Sequence, residues 1–187
     1  MGYYLPIIIT VIFYVFRIRE FLITRETIPG PVTEKRSFLF LFFSGTLIFL
    51  CAVFEYLSTK VSVSYIFVII GTLVIIVSFV VRNWAIRSLG RFWSVHVEIR
   101  DNHELVETGP YRLVRHPVYT AAILEVFGAV LLLQAYLTSL AILVLIVPSI
   151  MYRIRIEEEA LIKKFGEDYR KYMDRTGSLF PTKLSLR

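Results

Sequence analysis

Long apolar blocks divide this chain, and its charged residues are concentrated in the stretches between them. A helix needs about 20 apolar residues to cross the hydrocarbon of a bilayer, or about 17 where the bilayer adapts. The blocks therefore predict an all-α protein with about five membrane-spanning helices. Their approximate bounds are residues 3–16, 38–57, 61–81, 118–136 and 138–152.

The first and fifth blocks are short, but their flanking residues can extend both. Arg17 and Arg19 can snorkel to the interface beyond the first block, and Tyr152 and Ile154 can lie at the interface after the fifth. The first block also lacks the basic start and the small-residue cleavage site of a signal peptide. We therefore expect both blocks to span the membrane.

The basic residues predict the orientation. From the N-terminus, the intervals between spans hold 0, 5, 1, 6, 0 and 9 lysines and arginines, which together are the 21 of the chain. Because cytoplasmic loops are enriched in these residues, the N-terminus and the turns near Lys60 and Leu137 are predicted to lie outside. Residues 17–37, 82–117 and 153–187 are then cytoplasmic.

Composition supports this reading. A hydrophobic content of 56% and a mean hydropathy of +0.66 exceed what soluble domains usually show. The chain contains no linker or internal repeat, so we expect one domain over residues 1–187. Basic edges that face anionic headgroups of membrane lipids account for the net charge of +6, and no nucleic-acid partner is expected.

Metal and Rossmann-type nucleotide sites are not predicted. Cys51 is the only cysteine, and His96, His103 and His116 lack the spacing of a helical zinc site. The nine glycines are scattered, without the glycine-rich turn that holds a dinucleotide. A nucleotide-containing cofactor would have to be held in another way.

Residues 101–120 form a polar stretch that turns into the fourth span. Gly109 and Pro110 predict a turn, and Pro117 suits the first position of a helix. His116, biased towards extended geometry by the proline after it, then lies at the cap position. The free backbone donors of that helix start favour an anion.

Side chains near this helix start permit two interpretations. Arg115 and His116 add donors, and Tyr119 in the first turn can stack or form hydrogen bonds. A basic, aromatic loop of this kind can also be a simple interfacial anchor. The nearly uncharged hairpin of the last two spans, however, would return a second polar cluster to the same membrane face. That geometry favours a site.

The second cluster follows the fifth span. Residues 153–165 are predicted to continue as a helix, which puts Arg153 and Glu157 on one face, as it does Arg155 and Glu159. Solvated salt bridges are the simple explanation for such pairs. Three consecutive glutamates beside a membrane are an unusual choice for an anchor.

These motifs together resemble the isoprenylcysteine carboxyl methyltransferase family and, more broadly, the membrane methyltransferases that include phospholipid methyltransferases. The resemblance rests on GPYRLVRHPVY at 109–119, RIRIEEEALIKKFGEDYRKY at 153–172 and LFP at 179–181. It covers about the C-terminal half, from roughly Leu89 onwards. The family pattern has glycine two residues after the tyrosine of RHPxY, where this chain has Ala121, another small residue.

The resemblance implies a transferase that uses S-adenosylmethionine, bound in a pocket at the cytoplasmic face. Arg153 and Glu157 match the family's catalytic pair. The implied cofactor-binding residues are Leu105, Val106, Gly109, Tyr111, Val114, Arg115, His116, Tyr119 and Glu158.

Roles within this set follow from the same resemblance. His116 and Tyr119 would contact the cofactor, and Glu158 would take its ammonium group. The leucine and the two valines would cover adenine, and the remaining members would shape the loop. The segment Phe165–Pro181 would cover the site and exclude water from the sulfonium.

Substrate chemistry leaves alternatives open. A carboxylate acceptor is already ionised at neutral pH and needs orientation by an arginine, whereas an amine acceptor must first lose a proton. The first case is the methyl esterification of a prenylated cysteine or a similar lipidic acid that enters from the bilayer, and the second is lipid N-methylation. A non-catalytic membrane protein or small transporter is a further alternative, although neither broken helices nor inverted repeats are visible. The sequence does not indicate an oligomeric state.

Two residues inside the predicted spans are further candidates. Glu125 lies within the fourth span, where an ionisable residue is a functional candidate by default, and could line the pocket or pair with Arg82, Asn83 or Arg87. Pro148 could bend the fifth span and open a lateral path for a lipid.

Overall fold

A computed structural model of the chain describes residues 2–22, 32–34, 36–60, 62–94, 97–98 and 104–181. Its α-helices are α1 (Leu5–Leu22), α2 (Arg36–Thr59), α3 (Tyr65–Leu89), α4 (Pro117–Leu133), α5 (Tyr136–Ala141), α6 (Val147–Phe165) and α7 (Glu167–Arg175). Short 3-10 turns cover Gly2–Tyr4, Gly90–Phe92 and Gly109–Arg112, and Ile142–Ile146 is a π-helical segment. Two short strands, β1 (Val32–Glu34) and β2 (Val97–Glu98), pair antiparallel.

Four helical stretches in the described residues are long and apolar enough to cross a membrane. They are Gly2–Glu20, Leu39–Thr59, Tyr65–Phe92 and Tyr136–Phe165. The predicted fourth span appears as the shorter apolar helix α4, of 17 residues. Large apolar side chains face outwards, with Phe54 72% and Ile66 68% exposed. Lipid solvates such side chains and water does not, so the chain is a helical integral membrane protein.

Hydrogen bonds fix the turns at the end of the bundle remote from the polar motifs. Gln134 adopts the left-handed conformation (φ 52°), which ends α4 before the predicted limit of the fourth span. Its side chain accepts a hydrogen bond from the backbone N–H of Ser64 at 2.9 Å. Glu55 accepts bonds from the N–H groups of Leu137 and Thr138 at 2.9 and 2.7 Å and so caps α5.

The last membrane stretch is not one uniform helix. The π-helical turn Ile142–Ile146 comes just before Pro148, which has no N–H to donate to the preceding turn. After it, α6 continues without a break to Phe165. The predicted helical continuation over residues 153–165 is therefore confirmed, and α6 carries the charged motif out of the apolar core.

Two glycines let the backbones of α3 and α4 touch. A Cβ atom on Gly71 would lie 2.7 Å from the carbonyl oxygen of Gly128 and 2.6 Å from the backbone nitrogen of Leu132. A Cβ atom on Gly128 would lie 2.8 Å from Ile75. Small residues at such a crossing permit close packing of membrane helices. This contact fixes α4, which carries the RHPxY motif, against α3.

Candidate active site

The two polar motifs meet at the end of the bundle where α4 begins and α6 leaves the apolar core. Pro117 occupies the first turn of α4 and His116 its cap position, as predicted. The His116 side chain does not cap the helix. Instead its Nε2 lies 3.0 Å from Oε1 of Glu158 on α6. The hairpin thus brings the two motifs together.

A chain of hydrogen bonds links four side chains from α2, α4 and α6. The Tyr119 hydroxyl donates to Glu157 Oε2 at 3.0 Å and accepts from Arg153 Nε at 3.2 Å. Arg153 is 4% exposed, and its Nη1 donates to the Ser37 hydroxyl at 2.9 Å. Arg153 and Glu157 share a face of α6, as predicted, and Tyr119 lies between them. We call these four residues the central chain.

Glu158 is the centre of a second network. Its Oε1 accepts hydrogen bonds from Arg115 Nε and Nη2 at 2.9 and 2.8 Å, in addition to the contact with His116. Arg115 Nη1 donates to the backbone carbonyls of Met173 and Thr176. This network therefore fastens the C-terminal end of α7 to the start of α4.

Residues 176–179, the C-terminal strap, run beside the loop that precedes α4. Arg115 N–H donates to the carbonyl of Gly177 at 2.9 Å, and His116 N–H to that of Ser178 at 3.0 Å. The Thr120 hydroxyl donates to the carbonyl of Leu179 at 2.9 Å. The N–H of His116, one of the donors that a helix start normally leaves open, is thereby directed to the strap, which covers this side of the loop.

Tyr172 of α7 completes the cover. Its hydroxyl donates to the Tyr111 carbonyl at 2.6 Å, and both rings are buried. Burial raises the pKa of each hydroxyl above its ordinary value near 10, so both stay neutral at physiological pH.

The backbone conformation of Gly109 and the atoms around it both disfavour a side chain at this position. Gly109 has φ of +63°, and a Cβ atom there would lie 2.3 Å from the Ser88 hydroxyl.

One cavity of about 290 Å³ joins the polar site to the interior of the bundle. Tyr111, Tyr172, Leu105 and Val106 line its polar end, and Tyr119, Arg153 and Glu157 line its wall where the polar and apolar parts meet. The apolar arm is lined by Ile48, Phe49, Ala52, Val130, Leu133, Ile146 and Ile150. A molecule that fills this cavity would combine a polar head with an apolar tail.

The predicted site residues divide into two groups within the described part of the chain. On the cavity wall lie Leu105, Val106, Tyr111, Arg115, His116, Tyr119, Arg153 and Glu157. Gly109, Val114 and Glu158 lie behind it. Val114 is buried and pairs with Gly177 of the strap, and Glu158 holds Arg115 and His116.

Several contacts of the site could not be read from its motifs. Ser37 lies at the start of α2, some 70 residues before the first motif, and no local pattern marks it. Glu125 was expected to line the pocket or to pair with a residue of α3 such as Arg82, and it does line the cavity and interact electrostatically with Arg82. Its partner on α1 was not expected. The structure pairs its carboxylate with Arg17 of α1, at 3.4 Å from Nε.

No group of three or more metal-ligating side chains is arranged to hold an ion in the described part of the chain. His96 and His103 lie outside the described residues.

The protein-family model for isoprenylcysteine carboxyl methyltransferase matches residues 68–163. This segment contains most of α3, all of α4 and α5, and α6 to within its last turn. It includes the catalytic pair and the cofactor-binding residues that the motifs predict.

Individual relatives cover parts of the same region. YpbQ, an uncharacterized protein of Bacillus subtilis, is 39% identical over 82 residues, which are 44% of this chain and 49% of the relative. A probable protein-S-isoprenylcysteine O-methyltransferase of Oryza sativa subsp. indica is 30% identical over 114 residues, 60% of each chain. The chain thus spans about half to three-fifths of these relatives' length.

A solved structure shares the fold. The eukaryotic intramembrane Ras methyltransferase ICMT superposes with a TM-score of 0.59 at 26% sequence identity. The match covers 81% of this chain and 55% of that one.

Proposed function

The chain belongs to the isoprenylcysteine carboxyl methyltransferase family, and from that premise we propose that it is a membrane methyltransferase dependent on S-adenosylmethionine. The proposed reaction is the methyl esterification of a lipidic acid, such as the carboxylate of a prenylated cysteine. One observation carries this proposal. Arg153, Tyr119 and Glu157 stand where the polar end and the apolar arm of a single cavity meet.

The chemistry of a carboxylate acceptor fits the presence of Arg153 at the junction of the polar end and the apolar arm. A carboxylate has a reference pKa near 4, so the acceptor is ionised at neutral pH and needs no general base. It needs donors that fix its orientation, which the planar fork of a guanidinium supplies. The hydroxyls of Tyr119 and Ser37 bind Arg153 through Nε and Nη1, and they hold the plane of that fork. Alignment of the reacting atoms is the main task of such a site.

The residues of the polar end fit the proposed cofactor. S-adenosylmethionine supplies an electrophilic methyl group on a sulfonium. Leu105 and Val106 are apolar cavity residues suited to adenine, and Tyr119 and His116 line the same cavity. Oε1 of Glu158 is occupied by Arg115 and His116. We assign the ammonium group to the second oxygen of this carboxylate, Oε2.

The cover of the site suits this chemistry. Tyr172 and the C-terminal strap close the polar end by hydrogen bonds to Tyr111 and to the residues that precede α4. Exclusion of water protects a sulfonium from hydrolysis and strengthens the polar contacts that orient the acceptor. The covering segment Phe165–Pro181 therefore belongs to the proposed site.

The proposed topology has five crossings, with α4 as the short one and the N-terminus outside. It places residues 17–37, 82–117 and 153–187, and hence the active site, at the cytoplasmic face. The alternation of basic residues and the length of the four long apolar stretches support it. The acceptor would enter from the bilayer, because the apolar arm runs between membrane helices.

Lipid N-methylation is the second candidate, and the position of Glu157 favours it. This carboxylate lines the cavity with 36% of its side chain exposed, where it could take a proton from an amine. In this case Glu157 is a base, whereas in ester formation it is a support for Tyr119 and Arg153.

Radiolabelled methyl transfer separates these reactions. The purified protein in phospholipid nanodiscs is given labelled S-adenosylmethionine and either a prenylcysteine analogue or no added acceptor. We expect label on the prenylcysteine that mild base releases, which identifies a carboxyl ester. Base-stable label on phospholipid would replace the proposal by N-methylation. Label on neither would support a non-catalytic membrane protein.

A further inference from the structure

Four charged side chains from three helices form a cluster inside the bundle, which we call the charged quartet: Arg17, Glu20, Arg82 and Glu125. Arg82 of α3 donates through Nε to both carboxylate oxygens of Glu20, at 3.0 and 3.1 Å. Arg17 of α1 donates to Glu20 at 2.8 Å, and its Nε lies 3.4 Å from Glu125 of α4. Arg17, Glu20 and Arg82 lie near the ends of α1 and α3 that the proposed topology places at the cytoplasmic face, whereas Glu125 lies within α4. An ionisable residue inside a membrane helix is a candidate for a functional role.

Three members of the quartet line the same cavity as the central chain. Arg17, Arg82 and Glu125 are on its wall, whereas Glu20 is not. Glu125 follows Tyr119 by six positions on α4, which corresponds to roughly 9 Å along the helix axis. The apolar arm begins beyond it. A lipid whose reacting oxygen lies at Tyr119 would therefore pass Glu125 before its tail enters the arm.

Glu125 is the least satisfied member of the quartet. Its ion pair of 3.4 Å is longer than an N–H···O hydrogen bond of about 3 Å, while the Glu20 contacts are within that range. Among the described residues, no hydrogen bond reaches the Glu125 carboxylate. A carboxylate has about four acceptor positions, and a partly buried one is stabilised by a donor.

We propose that Glu125, held in place by Arg17, recognises a second polar group of the acceptor, a hydrogen-bond donor such as an amide N–H or a hydroxyl. This inference rests on the proposed function and deepens it. The preferred acceptor carries its donor between the reacting oxygen and the apolar tail. A plain acid with an uninterrupted hydrocarbon chain leaves the Glu125 carboxylate without a partner.

Binding of matched lipids tests the proposal without requiring turnover. Trp93 lies on the cavity wall, and the Trp84→Phe variant leaves it as the only tryptophan, so its fluorescence reports occupancy. The probes are three lipidic acids of equal length: one with an amide N–H in its chain about 9 Å from the carboxylate, and two analogues without the N–H, the ester and the N-methylated amide. We expect about tenfold tighter binding of the first probe, because a hydrogen bond to a charged group is strong.

Variants at the quartet separate recognition from support. In Glu125→Leu the tenfold preference should disappear, and in Glu125→Gln part of it should remain, because an amide oxygen still accepts. Glu20→Gln weakens the contacts to Arg17 and Arg82 but replaces no residue of the cavity wall, so it should lower the melting temperature and leave the preference intact. Phe127→Leu, on the lipid-facing side of α4, should change neither.

The outcomes are distinct. The inference is overturned if the parent protein binds the three probes equally or binds none of them. It is also overturned if the preference survives Glu125→Leu, or if Glu20→Gln abolishes it to the same extent. Methyl transfer to the first probe is measured in the same samples. Transfer without a binding preference rejects the inference alone. A preference without transfer supports recognition by Glu125 and rejects the proposed function.

Discussion

Glu157 and Glu158 are neighbours on α6, yet the structure gives them different surroundings. Glu158 turns towards the loop, where one of its oxygens holds Arg115 and His116, and its side chain is 16% exposed. Glu157 faces the cavity with 36% of its side chain exposed and accepts a hydrogen bond from Tyr119. Glu158 joins parts of the fold through Oε1, which leaves Oε2 for the proposed ammonium contact, whereas Glu157 lies on the cavity wall itself.

The comparison shows that position in a motif does not by itself define a role. Consecutive helical residues point about 100° apart, so neighbours can belong to different networks. The resemblance assigns both carboxylates to the site, one to catalysis and one to the cofactor. The contacts add that Glu158 also supports the fold, and substitutions can separate these contributions.

The largest expected effect concerns the central chain, to which Glu157 belongs and which lines the cavity. Arg153→Ala removes the donors that we propose orient the acceptor, and we expect turnover to fall at least about 100-fold, in the range for loss of a preorganised donor. Affinity for S-adenosylhomocysteine, measured by calorimetry, should remain within about twofold, because Arg153 belongs to the acceptor side. Glu157→Ala should behave in the same way.

Two controls accompany this prediction. Arg155→Ala removes an exposed arginine from the opposite face of α6 and should leave turnover unchanged. His116→Ala should instead weaken binding of the cofactor product. A similar loss of affinity in Arg153→Ala, Glu157→Ala and His116→Ala would contradict the division of roles.

The next effect concerns stability. Glu158→Gln removes the charge that holds Arg115, and we expect the free energy of unfolding to fall by about 2 kcal/mol, because the buried guanidinium loses its anion. Glu157→Gln is the matched variant and should stay within about 0.5 kcal/mol of the parent. Thermal unfolding in nanodiscs measures both. Equal losses in the two variants would remove the distinction between the neighbours.

The sequence predicts the local parts of this site well. Pro117 at the start of α4, the helical run through residue 165 and the shared face of Arg153 and Glu157 depend on neighbours in the chain, and all are observed. The fifth apolar block was less predictable, because the π-helical turn before Pro148 leaves no periodic signal of its own.

Contacts between distant helices were the unpredictable part. Ser37 reaches Arg153, and Arg17 reaches Glu125, because of how the membrane helices pack together. Packing of apolar faces against lipid and against one another has no sequence period that specifies a partner. The charge of Glu125 marked it as a candidate, but only the bundle identified Arg17 as its partner.

Ser37 lies outside both motifs, and its contact with Arg153 offers a further test of the central chain. Ser37→Ala removes the hydrogen bond to Nη1 of Arg153 and should lower kcat about tenfold while the KM for S-adenosylmethionine is unchanged, because the guanidinium plane is less restricted. Ser37→Thr keeps the hydroxyl and should restore most of the rate. Failure of the threonine variant to recover, despite normal thermal stability, would argue against a positioning role.

The smallest expected effect is at the cover of the site. Tyr172→Phe removes the hydrogen bond to the Tyr111 carbonyl and should lower the free energy of unfolding by about 1 kcal/mol. Burial raises the pKa of Tyr172 above 10, so the neutral donor is present throughout the range from pH 6 to 9 and the difference from the parent should be constant there. Tyr152→Phe, at an exposed position of α6, is the control and should have no effect. A difference that shrinks between pH 6 and 9, or an equal loss in the control, would show that the Tyr172 hydroxyl does not hold the cover.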